Sequence, residues 1–267
     1  MMLSSLSPRG PMLARGAVRW AHPRVVPAAC ACGWSRANNR HVVLHPGRRA
    51  AYCSEPAGGQ KLDPTTTALF LCDMQEKFAG VIDEFDSVVS ASGILLQAAN
   101  ELGVPAVVTE QYPRGLGRTV PELSQHLAAN SLVLEKLSFS MACSGCDEDQ
   151  GAAVQLEDFL QQHKTKSVLL CGVETHVCVL QTALDLILHR ELSLHVVVDA
   201  VSSQRKTDRE VALHRLKAAG AVLTTAESAV FQLLGSAKHP SFKTISKMVQ
   251  QPRVETSSGG LLGLAHC

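Results

Sequence analysis

Beyond Pro64, short apolar runs alternate with longer stretches in which apolar and polar residues recur at helical spacing. A short apolar run bounded by turn-forming residues is typical of a strand that is buried on both faces. We predict six such strands, which are TTALFLCD (66–73), PAVVTE (105–110), SLVLEK (131–136), SVLLCG (167–172), SLHVVVDA (193–200) and AVLTTAE (221–227).

The amphipathic stretches predict helices between these strands, at about 85–102, 151–164, from 175 onward, at 208–220 and at 228–235. Strands that alternate with helices form parallel sheets, and right-handed crossovers place the helices on both faces. The sequence therefore predicts a three-layer αβα sandwich around an open parallel sheet of about six strands. We expect this domain to span 61–250 and residues 251–267, which lack periodicity, to form a flexible tail.

The N-terminal segment has a different composition. Its first 54 residues contain eight arginines and no lysine, aspartate or glutamate. A cationic, acid-free segment of this kind is typical of a mitochondrial transit peptide. We therefore expect residues 1–60 to be a disordered transit peptide and linker, and the processed protein to lie in the mitochondrial matrix. The alternative is a disordered tail without a targeting role, which would leave the protein in the cytoplasm.

Charge and hydropathy exclude some partners. The formal net charge is +1, but all 24 acidic residues lie beyond position 54 against 17 of the 25 basic ones, so the body carries about −7. The near-neutral formal charge of the whole chain argues against a nucleic-acid partner. No uninterrupted apolar run approaches the ~18 residues of a membrane-spanning helix, so no membrane partner is expected.

Three chemically active side chains stand where predicted strands end. Asp73 ends the first strand, Lys136 ends the third, and Cys178 follows the fourth. The carboxyl ends of parallel strands share one edge of the sheet, and ligands bind at that edge. We therefore expect a carboxylate, an ammonium and a thiol to converge there.

The surroundings of Cys178 favour a nucleophile. Thr175 is expected to cap the following helix and to place Cys178 in its first turn, where the helix dipole and Lys136 favour a thiolate. Asp73 would accept the thiol proton and return it to a leaving amine, while backbone N–H groups between Glu174 and Cys178 would stabilise an oxyanion. The alternative is that Cys178 is a packing residue, Lys136 a solvated strand end and Asp73 a loop cap.

The other cysteines and histidines carry weaker signals. Nine irregularly spaced cysteines without a secretory signal are expected to be reduced. Cys143 and Cys146 form a single C-x-x-C pair, which is a weak zinc or redox signal without a second pair. Cys72 and Cys171 fall in predicted strands and are expected to be packing residues. The scattered histidines are expected at the surface or at helix ends, and they include His189, His195, His214 and His239.

Six motifs follow one another between residues 67 and 248, namely LFLCDMQEKF, VVTEQYPRGLGRTVPEL, LEKLSFSM, GVETHVCVLQTALDL, HVVVDAVSS and HPSFKTI. In this order they resemble the isochorismatase-like hydrolases, or cysteine hydrolase superfamily, and within it the animal isochorismatase domain-containing proteins. The resemblance implies a Rossmann-like fold with an Asp-Lys-Cys triad at Asp73, Lys136 and Cys178. It also implies a cis peptide bond between Val173 and Glu174, which would orient the oxyanion donors.

The resemblance also implies a reaction class. Superfamily members with this cysteine are similar to nicotinamidases and carbamoyl-amine hydrolases, which attack a carbonyl bonded to nitrogen and pass through a thioester. Nicotinamidases bind a metal through histidines after the second strand, but here that segment reads TEQYPRGLG, so neither a metal nor an organic cofactor is expected. Phe78, Tyr112, Thr175 and His176 are candidates for lining the pocket. Family members commonly assemble, so we expect a homo-oligomer.

The sequence therefore predicts a metal-independent cysteine hydrolase of a small amide, carbamoyl or related carbonyl compound. Two alternatives stay open. One is a non-catalytic binding or scaffolding protein that keeps the fold without turnover. The other is a vinyl-ether hydrolase of the isochorismatase type, which does not need Cys178 as a nucleophile.

Overall fold

The computed structural model describes residues 61–142, 147–190 and 192–251. The expectations for the transit peptide and linker, for Cys143 and Cys146, and for all but the first residue of the tail lie outside these ranges.

Six parallel strands of the described chain form one sheet, in the order β3-β2-β1-β4-β5-β6. The order reverses between β1 and β4, so the carboxyl ends of these two central strands form the topological switch point of the sheet. The strands are β1 Thr67–Cys72, β2 Ala106–Gln111, β3 Leu132–Lys136, β4 Ser167–Val173, β5 Ser193–Ser202 and β6 Val222–Thr224.

Helices cover both faces of the sheet. One face packs against α1 Phe85–Leu102, α7 Ala226–Leu234 and α8 Phe242–Val249, and the other packs against α4 Gln150–Gln162, α5 Leu180–Arg190 and α6 Lys206–Ala218. Two four-residue helices, α2 Pro113–Leu116 and α3 Pro121–Ser124, lie between β2 and β3 in sequence. The predicted three-layer αβα sandwich is confirmed. Among the described residues, no helix has both the length and the apolar character that crossing a membrane requires.

Burial along the strands follows their position in the sheet. β1 and β4 are buried over their whole length, because both of their faces are covered by helices. The edge strand β3 buries alternate residues, Leu134 and Lys136, which lie on the same face. Leu134 belongs to the cluster that packs against α4, α5 and α6, so Lys136 is directed to that side of the sheet.

Two C-terminal elements differ from the prediction. β6 ends at Thr224, because Thr225 instead caps α7 by accepting a hydrogen bond from the amide of Ser228 at 3.3 Å. α8 was not predicted. It buries Ile245 and Val249, which are four residues apart and so lie on one helical face.

The prediction that His195 lies at the surface or at a helix end is wrong. His195 is in β5 and only 1% of its surface is exposed. Its Nε2 lies 3.3 Å from Ser193 Oγ, and burial lowers the pKa of its imidazole. His195 is buried because β5 lies between β4 and β6 in the sheet. A single histidine in an apolar run does not reveal this position.

Gly172 marks a close approach of β1 and β4. Cys72 and Gly172 are register partners, and a Cβ atom at Gly172 would lie 2.0 Å from the backbone oxygen of Cys72. The φ angle of Gly172 is +111°, a backbone conformation that residues other than glycine rarely adopt. Only glycine therefore allows the two central strands to approach at this point. The approach lies at Cys72, the residue that precedes Asp73.

Gly172→Ala is expected to lower the free energy of unfolding by more than about 3 kcal/mol, because β1 and β4 must separate to accommodate the methyl group. Urea denaturation monitored by circular dichroism measures the change. Gly151→Ala in α4 is the matched control, since a Cβ atom there meets no atom within 4 Å. Its stability should stay the same or rise by up to about 1 kcal/mol. Equal midpoints for the two variants would contradict the close approach.

Candidate active site

Asp73 follows β1 directly and is fully buried. Its φ angle of +50° lies in the left-handed region, which is uncommon for residues other than glycine and turns the carboxylate out of the strand direction. Oδ1 accepts a hydrogen bond from Thr109 Oγ1 at 2.7 Å, and Oδ2 accepts one from Lys136 Nζ at 2.7 Å. Asp73 is thus fixed from β2 and β3 at once.

Lys136 ends β3, and its side chain is only 3% exposed. Besides Asp73, its Nζ donates to Gln111 Oε1 at 2.7 Å and to the backbone oxygens of Phe139 and Ser138 at 3.0 and 3.2 Å. Burial alone would lower the pKa of the ammonium. Electrostatic interactions with Cys72, Asp73 and Cys178 and the hydrogen bond to Asp73 outweigh burial and raise it.

Cys178 lies in a π-helical turn, Thr175–Val179, between β4 and α5. The residue retains 7% exposure, whereas Asp73 has none, so Cys178 is the more exposed of the two residues. Cys178 Sγ, an oxygen of the Asp73 carboxylate and Cys72 Sγ all lie within 4.8 Å of one another. The structure therefore brings together Asp73, Lys136 and Cys178, although they are far apart in sequence.

The sequence did not identify three residues that surround this group. Thr109 and Gln111 lie on β2, between the strands that end in Asp73 and Lys136, and their side chains hydrogen bond to both ends of the ion pair. The alternation of β2 side chains places these two residues on one face and could have suggested them. Cys72 ends β1 and is fully buried.

Cys72 differs from an ordinary packing thiol because of its neighbours. Burial, contact with Cys178 and the negative charge of Asp73 raise the pKa of the Cys72 thiol well above its ordinary value, against the opposing effect of Lys136. Cys72 is therefore a neutral thiol at physiological pH. Within the described ranges, Cys72, Asp73 and Cys178 form the one group of three acidic or thiol ligands close enough to hold a metal ion. The ammonium of Lys136 on Asp73 opposes a divalent cation there.

The turn between β4 and Cys178 has an unusual backbone. The peptide bond between Val173 and Glu174 is cis, and the amides of Val177 and Val179 donate to the backbone oxygen of Glu174 at 3.0 and 3.2 Å. Glu174 Oε2 accepts a hydrogen bond from the amide of Gln204 at 2.8 Å, which ties the turn to the segment after β5.

The prediction that Thr175 caps the helix is wrong. Glu174 occupies the cap position without a side-chain hydrogen bond, because the first turn is π-helical. Thr175 is fully buried, and its hydroxyl has no hydrogen-bond partner among the described residues.

The other predicted pocket residues lie in different surroundings. His176 is half-buried and its Nδ1 lies 3.0 Å from Ser203 Oγ. Tyr112 follows β2 and is 52% exposed, with its ring beside Gly115. Phe78 ends a 3-10 turn and packs against the hydrophobic cluster on the α1 side of the sheet. Cys178 belongs to the cluster on the opposite side, so Phe78 and Cys178 pack in different layers.

Side-chain contacts hold the segment that leaves β2. Gln75 Nε2 donates to the backbone oxygens of Gln111 and Gly117 at 3.0 and 2.7 Å, and Gln75 Oε1 accepts from the amide of Gln111 at 2.8 Å. Arg118 Nη1 bridges Glu110 on β2 and Glu135 on β3 at 2.8 and 2.6 Å. These contacts anchor the loop that carries Tyr112 at the sheet edge where Asp73 and Lys136 lie.

Known proteins resemble this chain in sequence and structure. The family model described as Isochorismatase domain matches residues 67–228. Isochorismatase domain-containing protein 2 of Bos taurus is 49% identical over 211 residues, which are 79% of this chain and 94% of the bovine protein.

Solved structures share the fold. The structure of the MAR1 ribonuclease from Caenorhabditis elegans matches with a TM-score of 0.67 and 44% identity, and the match covers 74% of this chain and 96% of that chain. The YcaC protein of Escherichia coli, described as an octameric hydrolase of unknown specificity, matches with a TM-score of 0.56 and 23% identity over 71% of this chain and 96% of that chain. At that identity the likeness shows the fold alone.

The buried ion pair can be tested by a double-mutant cycle. Lys136→Met is expected to lower the free energy of unfolding by about 3–5 kcal/mol at neutral pH, because it leaves the Asp73 carboxylate buried without a cation. The combined Asp73→Asn and Lys136→Met variant should be more stable than the sum of the two single changes predicts, by at least about 1 kcal/mol. Urea denaturation of all four proteins measures the coupling. Additive effects would mean that the two charges do not interact.

Proposed function

Since the chain belongs to the isochorismatase domain family of hydrolases, we propose that it hydrolyses a small amide, carbamoyl or related carbonyl compound with Cys178 as the nucleophile. One observation carries this proposal. The sulfur of Cys178 lies within 4.8 Å of a buried carboxylate, Asp73, which a buried ammonium, Lys136, holds at 2.7 Å. A nucleophile, a proton acceptor and a compensating cation are the groups that covalent acyl transfer requires.

In the first half of the proposed reaction, Cys178 Sγ attacks the carbonyl carbon of the substrate. The thiol proton passes to Asp73, which returns it to the leaving nitrogen as the C–N bond breaks. The acyl group remains on Cys178 as a thioester. Both oxygens of Asp73 already accept one hydrogen bond, but each carboxylate oxygen has a second lone pair that can receive this proton.

In the second half, water attacks the thioester. Asp73 accepts a proton from the water and passes it to the sulfur of Cys178 as the C–S bond breaks, so the thiol re-forms and the acid product leaves. No step in this sequence requires a metal or an organic cofactor, because Lys136 supplies the positive charge beside Asp73.

Lys136 acts through Asp73 rather than directly on the substrate. Its ammonium has three protons, and four protein oxygens already lie within 2.7–3.2 Å of Nζ. A hydrogen bond from Lys136 to an oxyanion would therefore cost one of these contacts. The proposed role of Lys136 is to hold the carboxylate in place.

Backbone amides of the turn after β4 are better placed to stabilise the oxyanion. The amides of Val177 and Val179 are already engaged with the oxygen of Glu174. This leaves the amides of Thr175, His176 and Cys178 as candidates, since the first amides of a helix lack intrahelical acceptors.

Three other functions are alternatives. A scaffolding protein would keep the fold without turnover, and a vinyl-ether hydrolase would use Asp73 without Cys178. RNA cleavage is an alternative because the matched nematode protein is named a ribonuclease, although the acidic body of this chain disfavours a polyanionic substrate.

We also propose that the protein forms a homo-oligomer. Val133 on the edge strand β3 and Leu137 and Phe139 just after it are 47%, 50% and 52% exposed. Apolar side chains on and beside an open sheet edge favour association with a further copy.

The proposed chemistry predicts the behaviour of Cys178 variants. With amide and carbamoyl compounds as substrates, Cys178→Ala should reduce kcat/KM by at least about a thousandfold, because no thioester can form. Mass spectrometry of the wild-type protein, quenched in acid during turnover, should detect an acyl group on the peptide 167–190. Cys171→Ala is the matched control, because Cys171 is a fully buried thiol directed to the other face of β4, and it should retain activity.

The alternatives predict other results. Retention of most activity by Cys178→Ala together with its loss in Asp73→Asn would favour vinyl-ether hydrolysis. No turnover of any carbonyl compound, together with a Cys178 that does not react with iodoacetamide near neutral pH, would favour a scaffold. Cleavage of RNA that is lost in both variants would favour a nuclease.

Mitochondrial localisation is a separate proposal that rests on the composition of the leader. A fluorescent reporter fused to residues 1–60 should be imported into the matrix and processed. The matched control replaces all eight arginines of this segment by glutamine and should remain in the cytosol, because it lacks the charge that the membrane potential draws inward. A cytosolic signal from the unaltered fusion would contradict the proposal.

A further inference from the structure

We infer that Cys72 and Cys178 form a peroxide-sensitive dithiol, which closes to a disulfide and so blocks the nucleophile reversibly. The two sulfur atoms lie within 4.8 Å of each other. Both side chains belong to the same hydrophobic cluster on the α4–α6 side of the sheet, and both thiols are free. That this disulfide inhibits the protein rests on the proposed function, because Cys178 is the proposed nucleophile. The formation of the disulfide does not depend on that function.

The positions of the two residues favour a bond between them. A disulfide requires the sulfurs to come within about 2.05 Å, so the two side chains must move closer than they are in this structure. Cys72 is the last residue of β1, and its register partner in β4 is Gly172. Cys178 lies in the turn that follows β4. The two residues therefore belong to adjacent central strands and their continuation, where the backbones already approach closely.

The two thiols differ in a way that divides the roles of attacking and resolving cysteine. Cys178 is 7% exposed and can meet a small oxidant, whereas Cys72 is fully buried. Burial also raises the pKa of the Cys72 thiol well above its ordinary value, so Cys72 is not the first sulfur to react. Cys178 is oxidised first, and Cys72 reacts with it afterwards.

The proposed steps balance with hydrogen peroxide as the oxidant. Cys178 Sγ attacks one peroxide oxygen, the O–O bond breaks, and Cys178 becomes a sulfenic acid while the released hydroxide takes the thiol proton and leaves as water. Cys72 Sγ then attacks the sulfur of the sulfenic acid and displaces a second water. The Cys72 proton passes to the departing hydroxyl group, for which the carboxylate of Asp73, within 4.8 Å of both sulfurs, is a suitable relay. The two sulfurs are oxidised and the peroxide is reduced.

The consequence for Cys178 is protection. A sulfenic acid without a neighbouring thiol is oxidised further to sulfinic and sulfonic acids, which thiols do not reduce. A disulfide to Cys72 stops this sequence and can be opened by thiol exchange at Cys178, the more exposed of the two residues. The fold thus supplies the nucleophile with a resolving partner from the adjacent strand.

The full chain, reduced and then treated with hydrogen peroxide, is expected to contain a link between the tryptic peptides 62–77 and 167–190. After blocking of free thiols and digestion, mass spectrometry should find the joined peptides lighter than their sum by two hydrogen atoms. Dithiothreitol should restore both peptides. This readout needs no substrate, so it can succeed if the hydrolase proposal fails and can fail if that proposal holds.

Variants assign the link, because the peptide 167–190 contains both Cys171 and Cys178. Cys171→Ala should keep the link, and Cys178→Ala should lose it. In Cys72→Ala, peroxide should drive Cys178 to the sulfinic acid, and recovery of its thiol by dithiothreitol should be lost.

Two results would overturn the inference. One is wild-type protein in which Cys178 is overoxidised while peptides 62–77 and 167–190 remain unlinked. The other is a link from Cys178 to a cysteine other than Cys72, or a link that disappears in Cys171→Ala. These results come from wild-type protein and from variants that leave Cys72 in place, so they stand even if Cys72→Ala fails to fold.

Discussion

The structure depends on one buried ion pair, between Asp73 and Lys136. Removing two opposite charges from water costs several kcal/mol for each ion, and only close contact and full hydrogen bonding offset that cost. Here the ammonium is surrounded by four oxygens and the carboxylate by two donors. These contacts fix β1, β2 and β3 relative to one another at the carboxyl edge of the sheet. The hydrogen bonds that offset the cost of burying the two charges also hold the site in position.

The pair also determines what can lie beside it. The segment after β3 must turn so that its backbone oxygens at Ser138 and Phe139 face the ammonium, and β2 must present Gln111 to the same atom. On the other side, β4 approaches β1 through Gly172, which brings the turn with Cys178 to the carboxylate. The thiol of Cys178, from one half of the sheet, therefore meets a charged pair from the other half, at the switch point where the strand order reverses.

Much of this arrangement could be predicted from sequence, and the reasons are physical. Apolar runs give the strands, and parallel topology gathers their carboxyl ends, so the placement of Asp73 and Lys136 at one edge of the sheet follows from the parallel arrangement. The roles of Thr109, Gln111 and Cys72 did not follow, because they depend on side-chain contacts between strands. Alternation along β2 places Thr109 and Gln111 on one face, but it does not show which side chains they contact. Thr175 was misjudged for a related reason. A π-helical first turn shifts the cap by one residue, and sequence preferences for caps describe α-helices.

The ion pairs of Arg118 with Glu110 and Glu135 make the loop after β2 sensitive to ionic strength. Glu110 and Glu135 are register partners on β2 and β3, so their like charges would repel without the guanidinium between them. Glu110 is almost fully shielded, but the side chains of Arg118 and Glu135 are 64% and 59% exposed, and dissolved ions weaken such contacts. The loop after β2 is thus held by an attraction that ionic strength can loosen, whereas the buried pair of Asp73 and Lys136 is screened much less by salt.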